Sequence, residues 1–428
     1  MMRSMFAGVS GLRTHQVRMD VIGNNIANVN TYGYKSSRAS FQEMLSQTIQ
    51  GSSTPTAERG GTNPQQVGLG VQLGSIDVLH SQGNTESTGN ITDMAIEGDG
   101  FFILGSGDQR LYTRAGMFGL SATEASLEDQ GNLVSLVNGL RVQGYAFESI
   151  PGTDQYRPRE AQAGNLQDIY INTEDRIPGR ATDSVTMTGN LDGRYDPDNR
   201  LTVDRQFSAF DSRGGRVDVL ITFEQTGVDT WDYTINDVGG QPVTGNPGGT
   251  ITFNSNGANT ADDPQAPFTI PAAALGGGVE DIEISLDFTQ LTSYAEDTTA
   301  IVQNVNGYRS GVLESFTVDQ SGVVTGSYSN GLTRPLWQVA LARFPNAAGL
   351  SKAGNTMFSE SSNSGDTIFG AAGSGGFGAI SPSALEMSNV DLSQEFTNMI
   401  ITQRGFQANS RIITSSDEML QELVNLKR

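Results

Sequence analysis

The chain has 428 residues, too many for one ordinary domain of roughly 100–200 residues, so a few units with separate small cores are expected. Its formal net charge of −21, from 26 Lys+Arg against 47 Asp+Glu, excludes binding to nucleic acid or an anionic membrane, since both need a basic footprint. With no cysteine the chain has neither a disulfide framework nor a thiolate metal site, and 52 glycines beside only 17% charged residues point to turn-rich β structure.

From Met2 the apolar residues Met5, Val9, Leu12, Met19 and Ile26 recur at heptad spacing, interrupted by Gln16 and Gly23. This predicts an amphipathic helix ending between Asn28 and Gly33, where Asn and Gly tolerate left-handed backbone. The segment around GSSTPTAERGGTNPQQVGLG reads as a linker or extended arm. Beyond it, AIEGDGFFIL and GYAFE carry strand signals.

The alternation of Val217, Val219, Ile221 and Phe223, a turn at QTGVDT, and then Trp231, Tyr233 and Ile235 predicts a hairpin. Ile282, Ile284, Leu286 and Phe288 alternate with Glu283, Ser285 and Asp287 as a half-buried strand. GQPVTGNPGG and DDPQAPFTIP read as loops, and strands resume after Ala300.

Near the C-terminus Leu392, Met399, Phe406, Ile413 and Leu420 fall seven apart, with Phe396 and Val424 at companion positions. Such a period keeps one seam on a partner helix, and Ser388 with Asp391 resembles a capping box at its start. Glycines inside both helices (Gly8, Gly11, Gly405) cost about 1 kcal/mol each against alanine, so the helices are expected to order only against neighbours.

Little in the sequence supports catalysis. His15 and His80 are the only histidines, too few for a histidine-based nucleophilic or metal site, and both read as solvated polar residues. Trp231 and Trp337 read as packed aromatics rather than a sugar platform. Gly373, Gly375 and Gly378 match dinucleotide-motif spacing, but Pro382 stands where the phosphate-binding helix would run. Asp192, Asp196 and Asp198 lack calcium-loop spacing. No cofactor and no metal are expected. No apolar run approaches the roughly 18 residues that span a membrane, and the start of the chain lacks the hydrophobic core of a secretory signal, so it is expected to belong to the mature structure.

GVSGLRTHQVRMDVIGNNIANVNTYGYKSS at one end and ALEMSNVDLSQEFTNMIITQRGFQANSRIITSSDEMLQELVNLKR at the other resemble the flagellar rod and hook family of axial proteins. AIEGDGFF is similar to a stretch shared across that family, while DGRYDPDNR, VDVLITFEQTGVDTWDY and NGYRSGVLESFTVDQSGVVTGSYSNG resemble its hook members. The resemblance implies an α+β fold: paired N- and C-terminal helices forming a coiled-coil inner domain, with nested outer all-β domains. The expected division is 1–30 with 385–428 as the helical domain, 31–70 as linker or arm, 71–163 with 301–384 as an inner β domain and 164–300 as an outer β domain.

The resemblance also implies a non-enzymatic, extracellular subunit of the hook that polymerises into a hollow flexible tube and transmits motor torque from rod to filament. Implied partners are other copies of the chain, the distal rod protein, hook cap and hook–filament junction proteins, and the flagellar type III export apparatus. The twelve heptad residues Met5, Val9, Leu12, Met19, Ile26, Leu392, Phe396, Met399, Phe406, Ile413, Leu420 and Val424 form the expected subunit-assembly seam. Two alternatives stand beside this reading: a distal rod protein, against which length and the central hairpin count, and a secreted β-rich binding module or glycosidase.

Overall fold

A computed structural model describes residues 2–55, 59–106, 109–122, 130–150, 155–159, 163–198, 200–236, 238, 242–245, 247–260, 267–275 and 279–426. The architecture is α+β, with one long helix near each end of the chain and a β-rich body. The backbone divides into two compact units, 1–171 with 317–325 and 335–428, and 172–316 with 326–334.

In the first unit, helix α1 (Met2–Ala27) and helix α2 (Leu392–Asn425) pack together. Asp391 caps α2, its Oδ1 accepting from the amides of Ser393 (2.8 Å) and Gln394 (3.2 Å). The expected capping box at Ser388 is therefore replaced by a cap three residues later. Ser388 Oγ instead accepts from the amide of Val390, a local turn that competes with helix.

The stretch after α1 is paired rather than a free linker. Ser37–Glu43 runs antiparallel to Val71–Val78, and Ser46–Gln50 to Gln65–Gly68, making a two-stranded ribbon. Its serines and threonines serve as cross-strand partners, with Ser40 Oγ 2.7 Å from Ser75 Oγ. The β body of this unit is built on Phe101–Ser106, paired with Gln109–Thr113 and with Leu341 and Ala342, while Gly144–Ala146 pair with Trp337–Val339. Phe101, Ile103, Tyr112, Tyr145, Ala340, Phe344 and Phe358 form a core here.

The second unit is a two-sheet β structure with one core. Its four-stranded sheet orders Thr202–Phe210, Arg216–Gly227, Thr230–Ile235 and Gly248–Thr252, all antiparallel. The predicted hairpin lies at its centre, with Asp229 at φ 58° in the turn. In the five-stranded sheet, Ile282–Tyr294 lies parallel to Ser184–Asp192. Val219, Ile221, Phe223, Trp231, Tyr233, Ile284, Leu286 and Phe288 share the buried cluster, as alternation requires.

The two Gly/Pro-rich stretches expected as loops fall partly outside the described residues. Their described parts form the short strands Thr244–Gly245, Gly248–Thr252 and Phe268–Ile270. Turn-forming composition gives way here to edge pairing: Pro247, which has no amide to donate, still accepts from the amide of Ile235 at 2.6 Å.

Candidate assembly surface

The helices run antiparallel in a heptad register. Ser4 meets Ser416 (Oγ to Oγ 3.5 Å), Arg18 donates to Asn398 Oδ1 (3.5 Å), and Asn25 Nδ2 donates to Glu395 Oε1 (3.2 Å). Between these, a Cβ on Gly8 would lie 3.3 Å from Ile413, one on Gly11 2.7 Å from Asn409, and one on Gly405 2.7 Å from the His15 ring. The row on α1 is thus Ser4, Gly8, Gly11, His15, Arg18, Ile22 and Asn25, against Glu395, Asn398, Thr402, Gly405, Asn409, Ile412 and Ser416 on α2.

The in-chain seam is therefore mostly small and polar and is distinct from the apolar rows marked by the heptads. It runs one residue before Met5, Val9, Leu12, Met19, Ile26, Phe396, Met399, Phe406 and Ile413, which places those side chains about 100° round their helices. Close approach accounts for the glycines. Thr402 and Ser416 are buried and return their hydroxyls to the carbonyls of Asn398 (2.7 Å) and Ile412 (2.7 Å), so no helix polar group is left open by them.

Apart from Ile413, which reaches Gly8 across the helix pair, the predicted seam residues flank this contact. Met5, Val9, Leu12, Met19, Ile26, Met399, Ile413 and Leu420 are half-buried, and Leu392, Phe396, Phe406 and Val424 are exposed. With Ile400, Ile401, Met419 and Leu423 they leave a largely apolar helix surface facing solvent. The ribbon adds exposed Leu45 and Ile49. Between α1 and the ribbon lies a cleft of about 550 Å³ lined by Phe6, Val9, Val17, Met44, Leu69 and Leu73.

A polar knot fixes where the helices leave the β body. Asn25 is buried and fully used: its Oδ1 accepts from Tyr34 Oη (3.2 Å) and the Ser37 amide (3.0 Å), and its Nδ2 donates to the Ser37 carbonyl (2.8 Å) as well as Glu395. Glu386, also buried, accepts from Lys35 Nζ (2.6 Å) and the Gly83 amide (2.9 Å) on Oε1 and from Arg114 (3.4 Å) on Oε2. Burial lowers the pKa of Lys35, opposed by the Glu386 charge, and burial likewise lowers that of Arg114. Gly33, at φ 68°, passes so close to Ala115 that a Cβ would sit 2.5 Å from its amide nitrogen. TYGYK and ALEMS carried these residues in the sequence, but no periodicity marked Lys35, Arg114 or Glu386 as an ion cluster.

The histidines are packed, not solvated. His15 meets Phe41 edge-on at 5.7 Å, and His80 lies edge-on to Phe101 (5.5 Å) and Phe358 (5.3 Å). Desolvation first, then Lys35 and Arg114, push His80 down to about 4. Trp231 and Trp337 are buried. The GSGGFG stretch is a left-handed turn between the strands Ile368–Ala371 and Ala379–Pro382, and Asp192 is held by Arg194.

Paired terminal helices carrying an unpartnered apolar surface, beside β units with sealed cores, define a structural protein that is itself a building block. Three family descriptions match the chain: "Flagella basal body rod protein" over residues 5–35, "Flagellar basal body protein FlaE D2 domain" over 181–308, and "Flagellar basal body rod FlgEFG protein C-terminal" over 381–426. The chain is 41% identical over 455 residues to the flagellar hook protein FlgE of Borreliella burgdorferi and 38% identical over 482 residues to that of Treponema pallidum, covering 100% of each chain. It belongs to the flagellar hook protein family.

The fold matches the crystal structure of Helicobacter pylori flagellar hook protein FlgE2 with a TM-score of 0.51 at 14% identity, over 71% of this chain and 100% of that one. A Bacillus subtilis protein named flagellar basal-body rod protein FlgG is 32% identical over 429 residues, 100% of both chains. Length therefore does not separate hook from rod, contrary to the expectation from sequence.

Proposed function

We propose that the chain is the subunit of the flagellar hook, polymerising into a hollow, flexible helical tube that works as a universal joint carrying torque from rod to filament. The observation that supports this most is the pair of apolar rows left beside an in-chain seam already filled by small and polar side chains. Heterologous contacts made by such rows propagate without closing, which yields an open helix. In this reading Met5, Val9, Leu12, Met19, Ile26, Leu392, Phe396, Met399, Phe406, Ile413, Leu420 and Val424 are the assembly seam, and residues 1–30 with 385–428 are the interlocking domain.

The role is structural and non-enzymatic, outside the cell. The distal rod protein, hook cap, junction proteins and the type III export apparatus are the partners that follow from it. The rod reading has the Bacillus subtilis relative in its favour. Electron microscopy of assembled chain distinguishes the two, since a hook gives curved tubes and a rod straight ones.

Phe406→Asp tests the seam. Burying a side chain of this size contributes roughly 1.5–3 kcal/mol, and a buried carboxylate adds a desolvation cost, so the critical concentration should rise about a hundredfold. Thr397→Asp, at an exposed position on the opposite face of α2 from Phe406, should change it little. Assembly of Phe406→Asp at the wild-type concentration would remove Phe406 from the seam.

A further inference from the structure

A chain with net charge −21 nevertheless carries, among its described residues, a pocket that is lined by two lysines and no carboxylate. This pocket, of about 440 Å³, is lined by polar Asn24, Asn28 and Thr31, by Lys35 and Lys352, and by an apolar wall that includes Phe358. The Lys35 charge is already taken by Glu386. Lys352 meets no carboxylate among the described residues; its Nζ donates to Ser37 Oγ (2.9 Å) and lies 5.4 Å from the centre of the Tyr34 ring. The backbone just after it turns through Gly354, Asn355 and Thr356, all at positive φ, so the rim of the pocket is a tight turn.

The complementary surface lies at the opposite end of the helix pair. From Asp417 to Leu426, the end of α2 and its C-cap, every residue is exposed except the half-buried Leu420. This stretch is about 15 Å long at 1.5 Å per residue. It carries Asp417, Glu418 and Glu422, has no Lys or Arg between Arg411 and Lys427, and shows Met419 and Leu423 each 50% exposed. An acidic helix end with apolar side chains one turn apart matches, in charge and in character, a pocket holding one uncompensated lysine and an apolar wall. Because α1 and α2 are antiparallel, the pocket at the end of α1 and the acidic end of α2 lie at opposite ends of the pair, so the contact can only be made between copies and propagates in one direction.

We propose that the Asp417–Leu423 segment of one copy docks in the Lys352 pocket of the next. Glu418 or Glu422 pairs with Lys352, and Met419 and Leu423 cover the apolar wall. The contact rests on the polymer reading above and gives that polymer a head and a tail.

The test uses the full chain, with critical concentration measured by sedimentation. Lys352→Glu should raise it at least tenfold and Lys352→Met about threefold, since an exposed ion pair contributes modestly while like charges repel. Adding Glu418→Lys and Glu422→Lys to Lys352→Glu should restore assembly to within about threefold of wild type. Because the chain has no cysteine, Val137→Cys with Leu423→Cys provides a second readout: oxidised polymer should give a ladder of disulfide-linked oligomers on a denaturing gel. Lys352→Glu assembling normally, no rescue by the reversed charges, or only monomer after oxidation of formed tubes would each overturn this contact while leaving the polymer reading intact. A wild-type chain that forms no polymer would overturn both.

Discussion

Glu386 is the residue on which the helix–body junction depends most. Its single carboxylate pairs with both Lys35 and Arg114 where none of the three can reach water, and removing it leaves two buried cations without their shared counter-charge, a loss that costs about 3–5 kcal/mol. Glu386→Gln, close in shape, should therefore lower stability by about that much in urea titration, and a loss below about 1 kcal/mol would show that the cluster is not balanced by this carboxylate. His80 gives a second residue-scale prediction, with a pH signature. Its folded pKa is lowered to about 4 from the ordinary 6.5, so between those pH values the unfolded chain binds more protons and stability falls as pH drops, whereas above 6.5 the residue adds no pH dependence. In His80→Phe this slope should disappear: the difference between wild-type and variant midpoints should change from pH 6.5 to 4 and be constant above 7. A difference that is constant throughout would mean that His80 stays protonatable in the fold.

At the scale of elements, the helix pair separates two kinds of glycine. Gly23 is exposed, with nothing within 4 Å of a Cβ placed on it, whereas a Cβ on Gly405 would sit 2.7 Å from a His15 ring already lodged against Phe41. Alanine gains about 1 kcal/mol in helix propensity at either position, and only at Gly405 must a packed ring move. Gly23→Ala should therefore stabilise the helices by about 1 kcal/mol, read from helical circular dichroism on heating, while Gly405→Ala should be neutral or destabilising. Equal stabilisation by both would mean the helices do not approach as closely as the small-residue seam indicates. The ribbon makes the corresponding point for β structure, since its Ser and Thr content suits cross-strand hydrogen bonding as well as it suits a linker.

For the whole molecule, the consequential feature is that each unit has its own core. Trp231 is fully buried within a cluster drawn only from the second unit. Trp231→Ala should cost about 3–5 kcal/mol and lower one calorimetric transition while leaving the transition of the first unit in place. A single transition that shifts as a whole would show that the units unfold together. In the proposed polymer, assembly would add a further level, since exposed apolar rows such as those on α1 and α2 mark interaction surfaces.

Patterns of period two and seven are local, and the sequence alone therefore carried the paired helices, the hairpin at Val217–Ile235 and the strand through Ile282–Phe288. Family resemblance at both ends of the chain carried the flagellar reading. What periodicity could not distinguish was which of two adjacent helix rows turns inward. Ser4, Gly8, Gly11 and Asn25 contribute no hydrophobicity, and their place on the seam follows from how closely two backbones approach, a property of the pair and not of either helix. The ion cluster was hidden for the same reason: Lys35, Arg114 and Glu386 are distant in sequence, and only the tertiary fold brings their charges together and removes the water between them.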